Sequence, residues 1–459
     1  MKKNSGSQRF SKLLKTAALS NRKIFHDSGI IFISRVFGSV AHFLGFLLIA
    51  RVLGINEFGQ FSFWFATGLI FSSVIGVGQQ LFIQKYLAIQ KSRNEIHEKH
   101  GLLLFSFVAP TVIYGFLALI LLTVQYAEWS ALIGGSIVQA TLLLGFAYAL
   151  TEISAAALRV HGKIFASALP KDVIWRSLFP ILTFVFTTTV LDASAEGVLY
   201  FSSALLFLVW VFQMFLLKGL VSWSANFRFE DLHERLRTAI PYWINSLLSV
   251  GGQNLDVVAA GLVLTSEGLA AYFLCSRLMN IIRIPLMAGN AIAAPLVASH
   301  IAGSDIRSAQ VVVSTVVLFA FSLSASAFIF LFIFGDLVLG VGGPAFRSYY
   351  WISILLGSGV LVNVACGPNG IALLMSGHET IYMKVMALNH FIQFALILLF
   401  GSLWDIWGVA IVVFCMQCGW NIFCLLFLKN AVGIDTSIVS IRYAFEKPRG
   451  EELDVTRRN

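Results

Sequence analysis

The stretch that decides the fold is residues 311–334, which read VVVSTVVLFAFSLSASAFIFLFIF and contain no charged side chain. A helix of about 20 apolar residues is long enough to cross a hydrocarbon core of about 30 Å. Such a helix also satisfies its own backbone hydrogen bonds, which lipid cannot do. The stretch therefore predicts a membrane-spanning helix.

The composition of the whole chain extends this prediction. Of its 459 residues, 58% are hydrophobic and only 12% are charged, whereas soluble domains carry about 25% charged residues. A soluble fold of this size cannot bury so much apolar side chain. Membrane β-barrels would show segments of about 10 residues with alternating polarity instead. We therefore predict an all-α polytopic membrane protein.

Twelve apolar runs predict about twelve transmembrane helices. They lie near residues 30–50, 60–83, 101–123, 130–158, 172–190, 196–217, 242–264, 268–298, 311–334, 349–375, 381–400 and 408–428. The amino-terminal residues before the first run are polar and basic, unlike a cleavable signal. Within them, residues 10–19 fit either an amphipathic helix on the membrane surface or a disordered tail.

The distribution of charge gives the orientation. With the amino terminus inside, the inner segments hold 27 Lys and Arg against 14 Asp and Glu, and the outer loops hold 2 against 7. Cytoplasmic loops carry the excess of Lys and Arg in membrane proteins. Both termini are therefore predicted to be cytoplasmic. The formal net charge of +9 follows from this bias, and we predict no nucleic-acid partner.

A polar break near the middle of the chain divides it into two halves of six helices each. We predict an amino-terminal cytoplasmic segment, a first half, a cytoplasmic linker with a short interfacial helix, a second half and a cytoplasmic tail, with the bounds 1–29, 30–217, 218–240, 241–428 and 429–459. An even number of helices in each half makes the two halves parallel repeats around an axis along the membrane normal.

Several motifs resemble those of one known family. Residues 47–59, LLIARVLGINEFG, resemble the L-A-R-x-L-G-x-x-x-F-G signature at the first outer turn of bacterial polysaccharide-export flippases of the Wzx type. Residues 76–88 resemble the end of their second helix, although Lys85 replaces the more usual Arg. Residues 157–163 and 367–379 are similar to the inner ends of their helices 4 and 10.

The resemblance implies the fold of the multidrug, oligosaccharidyl-lipid and polysaccharide exporter superfamily, in which two six-helix halves surround a central cavity. It implies a flippase of the bacterial inner membrane that moves polyprenyl-pyrophosphate-linked oligosaccharide to the outer leaflet by alternating access. The products would be surface polysaccharides such as lipopolysaccharide or exopolysaccharide. The implied partners are the lipid-linked oligosaccharide, membrane lipids and polysaccharide polymerase machinery.

Ionisable residues inside a bilayer are costly and mark functional sites. Arg283 lies about 22 Å by helical rise from the outer end of its run, too deep to reach water along its own helix. Pro285 follows, and a proline frees a backbone carbonyl in a helix. We favour a role for Arg283 in binding an anion in a water-filled lumen, with a structural ion pair as the alternative.

Asp256 and Arg277 lie at similar depth on the two arms of a helical hairpin. We expect a salt bridge between them, while a proton or sodium site at Asp256 remains the alternative. Arg277 is also a candidate helper of Arg283 in binding substrate, because guanidinium groups match phosphate oxygens bidentately. Asn280 and Asn290 are further substrate-binding candidates on the same helix.

Three other residues complete the candidate set. Arg35 is close enough to the inner surface to extend to it, but is kept as a substrate-binding candidate. His42, which titrates near neutrality in water, and Glu152 join Asp256 as ion-coupling candidates. For His42, and likewise for His390, a packing role is the alternative; for Glu152 the alternatives are an ion pair with Arg159 and a gate.

Other functions were compared with the flippase. A multidrug exporter of the same superfamily would need an acid-rich lumen for cationic drugs. A glycan polymerase or ligase would need charged residues on a large outer loop, but the longest predicted outer loop, 335–348, holds one Asp and one Arg. The chain contains no G-x-x-x-x-G-K-[ST] or H-E-x-x-H motif. We therefore predict no enzyme, no metal and no cofactor. All five cysteines lie inside predicted spans, so we expect no disulfide.

Overall fold

The computed structural model describes residues 5–93, 96–126, 135–189, 194–218 and 232–445. The helices of these residues are α1 Ser5–Gly76, α2 Gln79–Arg93, α3 Ile96–Tyr126, α4 Gly135–Val160, α5 Ile164–Ala168, α6 Arg176–Thr189, α7 Ala195–Lys218, α8 Leu232–Gly261, α9 Ser266–Ala302, α10 Ile306–Gly342, α11 Tyr350–Cys366, α12 Asn369–Met375 and α13 Glu379–Val432. A π-helical turn, Leu169–Trp175, joins α5 to α6, and 3₁₀ turns cover Pro344–Tyr349 and Ile438–Phe445.

Two of these helices are hairpins with two membrane spans each. A straight helix of 72 residues, the length of α1, would extend about 108 Å, far beyond a bilayer. α1 breaks at Gly54, whose φ of +73° suits glycine, and the rings of Phe46 and Phe61 on either side meet at 6.3 Å. α13 breaks at Trp404 and Asp405.

The membrane-spanning character of the chain is plain from helix length and hydropathy. Eight described segments, the α1 and α13 hairpins among them, are long and apolar enough to cross a membrane. Counting each hairpin as two spans, and adding α6 and α8, gives one helix for each of the twelve predicted runs. The prediction of an all-α polytopic membrane protein is confirmed.

Several boundaries differ from the predicted ones. The second span ends at Gly76, not near 83, because Val77 and Gly78 adopt positive φ. The predicted outer loop 335–348 is helical up to Gly342, because its Leu and Val residues continue the apolar face of α10. The interfacial helix predicted in the linker lies partly outside the described residues, and its last residues continue directly into α8.

Residues at both ends of the chain also join the helical fold. Residues 5–29 form the first part of α1, which agrees with a helix rather than a disordered tail. At the other end, Gly433 closes α13 in the left-handed conformation. Residues 434–445 then pack on α10, where the side-chain amide of Gln310 exchanges two hydrogen bonds, of 2.6 and 2.7 Å, with the backbone of Asp435.

Candidate functional site

A cavity of about 940 Å³ lies between the two halves of the chain. Its walls come from α1, α2, α4, α5, the π-helical turn and the start of α6 in the first half, and from α8, α9, α11 and α13 in the second half. A cavity between two repeats is the usual place for a transport site in a membrane protein. The lining of this cavity is therefore the candidate functional site.

Aromatic rings from both halves close one end of the cavity. Phe273 of α9 meets Phe46 of α1 at 5.0 Å in an edge-to-face contact and Phe58 at 5.9 Å. Phe58 in turn meets Phe346 at 6.1 Å. All four side chains are buried, and edge-to-face packing stabilises such clusters beyond their buried area. We call these four residues the aromatic plug and this end the closed end.

Backbone contact seals the closed end further. Gly59 of α1 lies so near the start of α9 that a Cβ atom at this position would be 2.0 Å from the carbonyl oxygen of Ser266. The cavity extends away from this seal to Gln84, Arg159 and Tyr382, which we call the open end. The aromatic plug and this backbone contact thus separate the cavity from the closed end of the chain.

Arg277 and Arg283 of α9 both line the cavity. The guanidinium of Arg277 donates to Oδ1 of Asn254 at 2.9 Å and lies 4.6 Å from the ring centre of Phe273. The Nε atoms of both arginines are buried and have no hydrogen-bond partner among the described residues. Because a buried unpaired donor is costly, these N–H groups are suited to an anionic ligand.

The salt bridge expected between Asp256 and Arg277 is wrong. Tyr272 donates instead to Oδ2 of Asp256 at 2.6 Å, and within the described part of the chain no carboxylate lies within 4 Å of Arg277. Similar depth on the two helices does not bring the two side chains together, because the guanidinium of Arg277 bonds to Asn254 while the carboxylate of Asp256 accepts from Tyr272. Asp256 lines the cavity, with its Oδ1 unpaired by described residues.

The first half contributes an ionic network that sequence reasoning largely missed. Glu152 of α4 forms the predicted pair with Arg159 at 3.8 Å, but its close partner is Lys171. Lys171 also lies 3.5 Å from Asp172, and Asp172 lies 3.7 Å from Arg176. All five line the cavity. The network places two acids among three bases.

A π-helical turn explains why Lys171, Asp172 and Arg176 were missed. The polar stretch from 171 to 176 stands at the start of an apolar run and looks like a solvated inner loop. The turn Leu169–Trp175 instead keeps it inside the bundle, where Lys171 is buried. Single π-helical turns are frequent at functional sites. Pro170 lies in the first turn of this segment, where a proline is tolerated, but it does not by itself reveal the π-helical geometry.

The two histidines occupy different surroundings in the cavity wall. His42 packs against Phe46 and Trp175, at ring distances of 4.2 and 5.8 Å, and its Nε2 has no hydrogen-bond partner among the described residues. His390 lies against Gly252, where a Cβ atom would be 2.2 Å from its Nε2. His42 is thus packed in the core and yet reaches the cavity.

The remaining candidates divide by position. Asn280 lines the cavity, whereas Asn290 does not, although its Oδ1 is buried and unpaired among the described residues. Arg35 belongs to α1, but its side chain lies outside the described part of the structure. No group of three His, Cys, Asp or Glu side chains in the described ranges is arranged to hold a metal ion.

Comparison with known proteins gives the fold. No protein-family model and no curated protein sequence matches the chain. The chain is similar in structure to an inward-facing multidrug resistance MATE family transporter of the MOP superfamily, with a TM-score of 0.71 and 14% identity over 91% of this chain and 99% of that one. It is also similar to the lipid II flippase MurJ in an inward closed conformation, with a TM-score of 0.67 and 13% identity over 87% of each chain.

A third similar structure is a MOP superfamily transporter from Pyrococcus furiosus, with a TM-score of 0.60 and 12% identity over 89% of this chain and 95% of that one. These likenesses cover nearly the whole of each structure, although little sequence is shared. With its two bundles around one cavity, this chain therefore has the fold of MOP superfamily transporters.

Proposed function

We propose that the chain is a flippase that moves a polyprenyl-pyrophosphate-linked oligosaccharide from the cytoplasmic to the outer leaflet of a bacterial inner membrane. The observation that carries this proposal is the pair of buried, incompletely hydrogen-bonded guanidinium groups of Arg277 and Arg283 in the central cavity. Two guanidinium groups at depth match a ligand with two adjacent phosphates, because each binds phosphate oxygens bidentately.

The charge balance of the cavity supports an anionic ligand. The lining holds five basic residues against three acidic ones, and in the first half both acids are already engaged by bases. The multidrug alternative would favour the opposite balance, as cationic drugs need acids. Polarity is known to vary within this fold, since the Pyrococcus furiosus transporter is described as having a binding pocket of reverse polarity that suggests a different function.

The size of the cavity fits a headgroup and not a whole lipid. Pockets for small ligands have volumes of about 300–1,000 Å³, and this cavity is near the upper limit. The pyrophosphate and its sugars would occupy the cavity while the polyprenyl chain remains in the lipid. The MurJ likeness supports this arrangement, because that protein is named a flippase of lipid II.

Transport would proceed by alternating access. In the described state the aromatic plug closes one end, and the positive-inside rule assigns the open end to the cytoplasm. Separation of the halves at the plug and closure at the other end would then release the substrate outward. Asp256, His42 and Glu152 are the proposed ion-coupling residues, and Arg35 and Asn290 remain proposed contributors to substrate binding. Polymerase machinery that consumes the translocated glycan is the proposed partner.

The test is complementation of a deletion strain. Arg283→Gln should abolish surface polysaccharide and cause lipid-linked oligosaccharide to accumulate on the cytoplasmic leaflet. The matched control is Arg347→Gln, which removes a guanidinium that lies outside the cavity and is half exposed beside Asp336. Normal export in Arg283→Gln, at equal protein level, would refute the phosphate-binding role.

The multidrug exporter stays as the second candidate, because the structural likeness to the MATE family transporter is strong. It predicts that deletion increases sensitivity to cationic drugs and leaves surface polysaccharide unchanged. The flippase predicts the opposite pattern. Both phenotypes can be measured in one strain.

A further inference from the structure

One wall of the cavity differs chemically from the others. The lining residues contributed by α11 and α13 include no Asp, Glu, Lys or Arg within the described part of the chain. They are instead amides, one histidine and aromatic or aliphatic side chains. The amides of this wall are Asn363, Asn389, Gln393, Gln417 and Asn421. The charged residues of the cavity therefore lie on the other helices.

The amides of this wall have unused hydrogen-bonding capacity. Asn421 is held in place, since it donates to the carbonyl of Gln417 at 2.8 Å and accepts from Asn369 at 3.3 Å. The Nε2 group of Gln417 is buried without a hydrogen-bond partner among the described residues. A side-chain amide offers two donors and one acceptor, so a buried, unpaired amide is costly unless a ligand meets it.

Two aromatic rings complete the wall near the open end. Tyr382 and Trp420 meet with ring centres 5.3 Å apart, and both line the cavity. An aromatic ring offers a broad apolar face, and the tyrosine hydroxyl adds a polar tip. Sugar rings present apolar C–H faces together with hydroxyl groups at their edges. Amides beside an aromatic pair, with no charge, are matched to that combination.

We propose that the α11–α13 wall is a saccharide subsite, which we define by Asn363, Gln417 and Trp420, and that it recognises the sugar adjoining the pyrophosphate bound at Arg277 and Arg283. This inference rests on the proposed function and deepens it. In this arrangement α9 would bind the phosphates of the headgroup, and α11 and α13 would bind the sugar. Such a site rejects a sugar that lacks one of the expected hydroxyl groups, because the buried amide that would pair with that hydroxyl is left without a partner.

The experiment compares two probes that differ only in sugar. Binding to the full-length protein in lipid nanodiscs is measured for polyprenyl pyrophosphate and for the same lipid carrying an N-acetylhexosamine disaccharide. Gln417→Leu and Asn363→Leu remove amides from the subsite, and Trp420→Leu removes its aromatic face. The matched controls are Asn245→Leu, an exposed amide outside the cavity, and Trp407→Leu, an exposed tryptophan on the same helix as Trp420.

The subsite predicts that the unaltered chain binds the sugar-bearing lipid more tightly than the bare lipid. Gln417→Leu and Asn363→Leu should each weaken binding of the sugar-bearing lipid by about tenfold, the effect of one lost hydrogen bond, and Trp420→Leu should weaken it through the loss of the aromatic face. All three variants should leave binding of the bare lipid unchanged. The controls should change neither. Equal binding of the two probes, or equal losses for both in Gln417→Leu, would overturn the subsite alone. Failure of the unaltered chain to bind either probe would overturn the proposed function as well.

Discussion

The contact between Gly59 and Ser266 gives a quantitative prediction about closure. In Gly59→Ala the new Cβ would be placed 2.0 Å from the carbonyl oxygen of Ser266 and 2.6 Å from its carbonyl carbon. Ordinary C···O contacts are about 3.3 Å or longer, so α1 and α9 must separate by about 1.3 Å. The obstructing atoms belong to the backbone, and no side chain can rotate away to relieve them.

The magnitude follows from the proposed alternating access, in which the contact exists in the closed state and is broken when the halves separate. Overpacking of this kind costs about 1–3 kcal/mol. When the halves separate at the plug, the clash disappears and the cost with it. A difference of that size between two states changes their ratio by about 5-fold to 150-fold. Gly59→Ala should therefore increase the population open at the plug by a factor in that range.

Cys275 is a native reporter of this opening. Its side chain is 1% exposed and its Sγ lies 3.7 Å from the carbonyl oxygen of Tyr349 beside the plug. The assay measures the rate of maleimide labelling of Cys275 in nanodiscs after the other cysteines are changed to alanine, namely Cys366, Cys415, Cys418 and Cys424. The rate should rise at least fivefold in Gly59→Ala.

The control is Gly115→Ala, whose Cβ would meet nothing within 4 Å. It should label at the native rate. If Gly59→Ala also labels at the native rate while the protein remains folded, the glycine contact does not hold the closed end and the reasoning is refuted.

Three other predictions concern stability, each measured as the melting temperature of the protein in detergent. Glu152→Gln should destabilise the chain by about 1.5–3 kcal/mol, because it removes the close partner of the buried Lys171 and leaves that lysine only Asp172, at 3.5 Å, as an acidic partner. The double variant with Lys171→Met should recover much of the loss, and no recovery would contradict the pair. Gly367→Ala should lower the stability of the chain by about 2 kcal/mol. Gly367 has φ +71°, and the new Cβ would lie 2.0 Å from the backbone oxygen of Thr436 in the docked carboxyl-terminal segment. An unchanged melting temperature would exclude that docking. Burial alone would raise the pKa of Asp435, but hydrogen bonds from neighbours including Lys429 lower that pKa below its usual value. The contribution of Asp435 to stability is therefore complete above the unfolded-state pKa of about 3.9 and is lost as pH falls through the lower folded-state pKa. The difference in melting temperature between the native chain and Asp435→Asn should thus shrink with acid, and a constant difference would contradict this.

Much of the fold was predictable from the sequence because lipid imposes a simple rule. An apolar run of sufficient length must be a helix, and each of the twelve runs contains a helix in its described part. Arg277 and Arg283 were found for the same reason, since a charge stands out within an apolar run. Their positions in the cavity wall agree with the expectation, while their role in binding substrate remains a proposal.

The helix rotations could not be predicted, because these helices are apolar on most faces and periodicity gives no unique buried side. Sequence therefore placed Asn280 and Asn290 in one class, whereas only Asn280 lines the cavity. The partners of Asp256 and Arg277 were missed for a related reason: depth is readable from sequence, but direction around the helix axis is not.

Local backbone geometry hid the rest of the site. The π-helical turn brings Lys171 and Arg176 to the cavity, although in the sequence they stand at the inner end of the run 172–190 and look solvated. Such turns depend on tertiary packing, and single-sequence patterns do not reveal them. The docked segment after Gly433 was likewise beyond reach, because its hydrogen bonds join residues more than 100 positions apart.

The most direct test of the central claim is transbilayer movement of a polyprenyl-pyrophosphate-linked disaccharide in proteoliposomes that contain only this protein. The account predicts that the native chain and Arg347→Gln move the lipid at the same rate, whereas the double variant Arg277→Gln/Arg283→Gln moves it no faster than protein-free liposomes. Movement at the native rate by the double variant would contradict the claim that the cationic cavity carries the pyrophosphate.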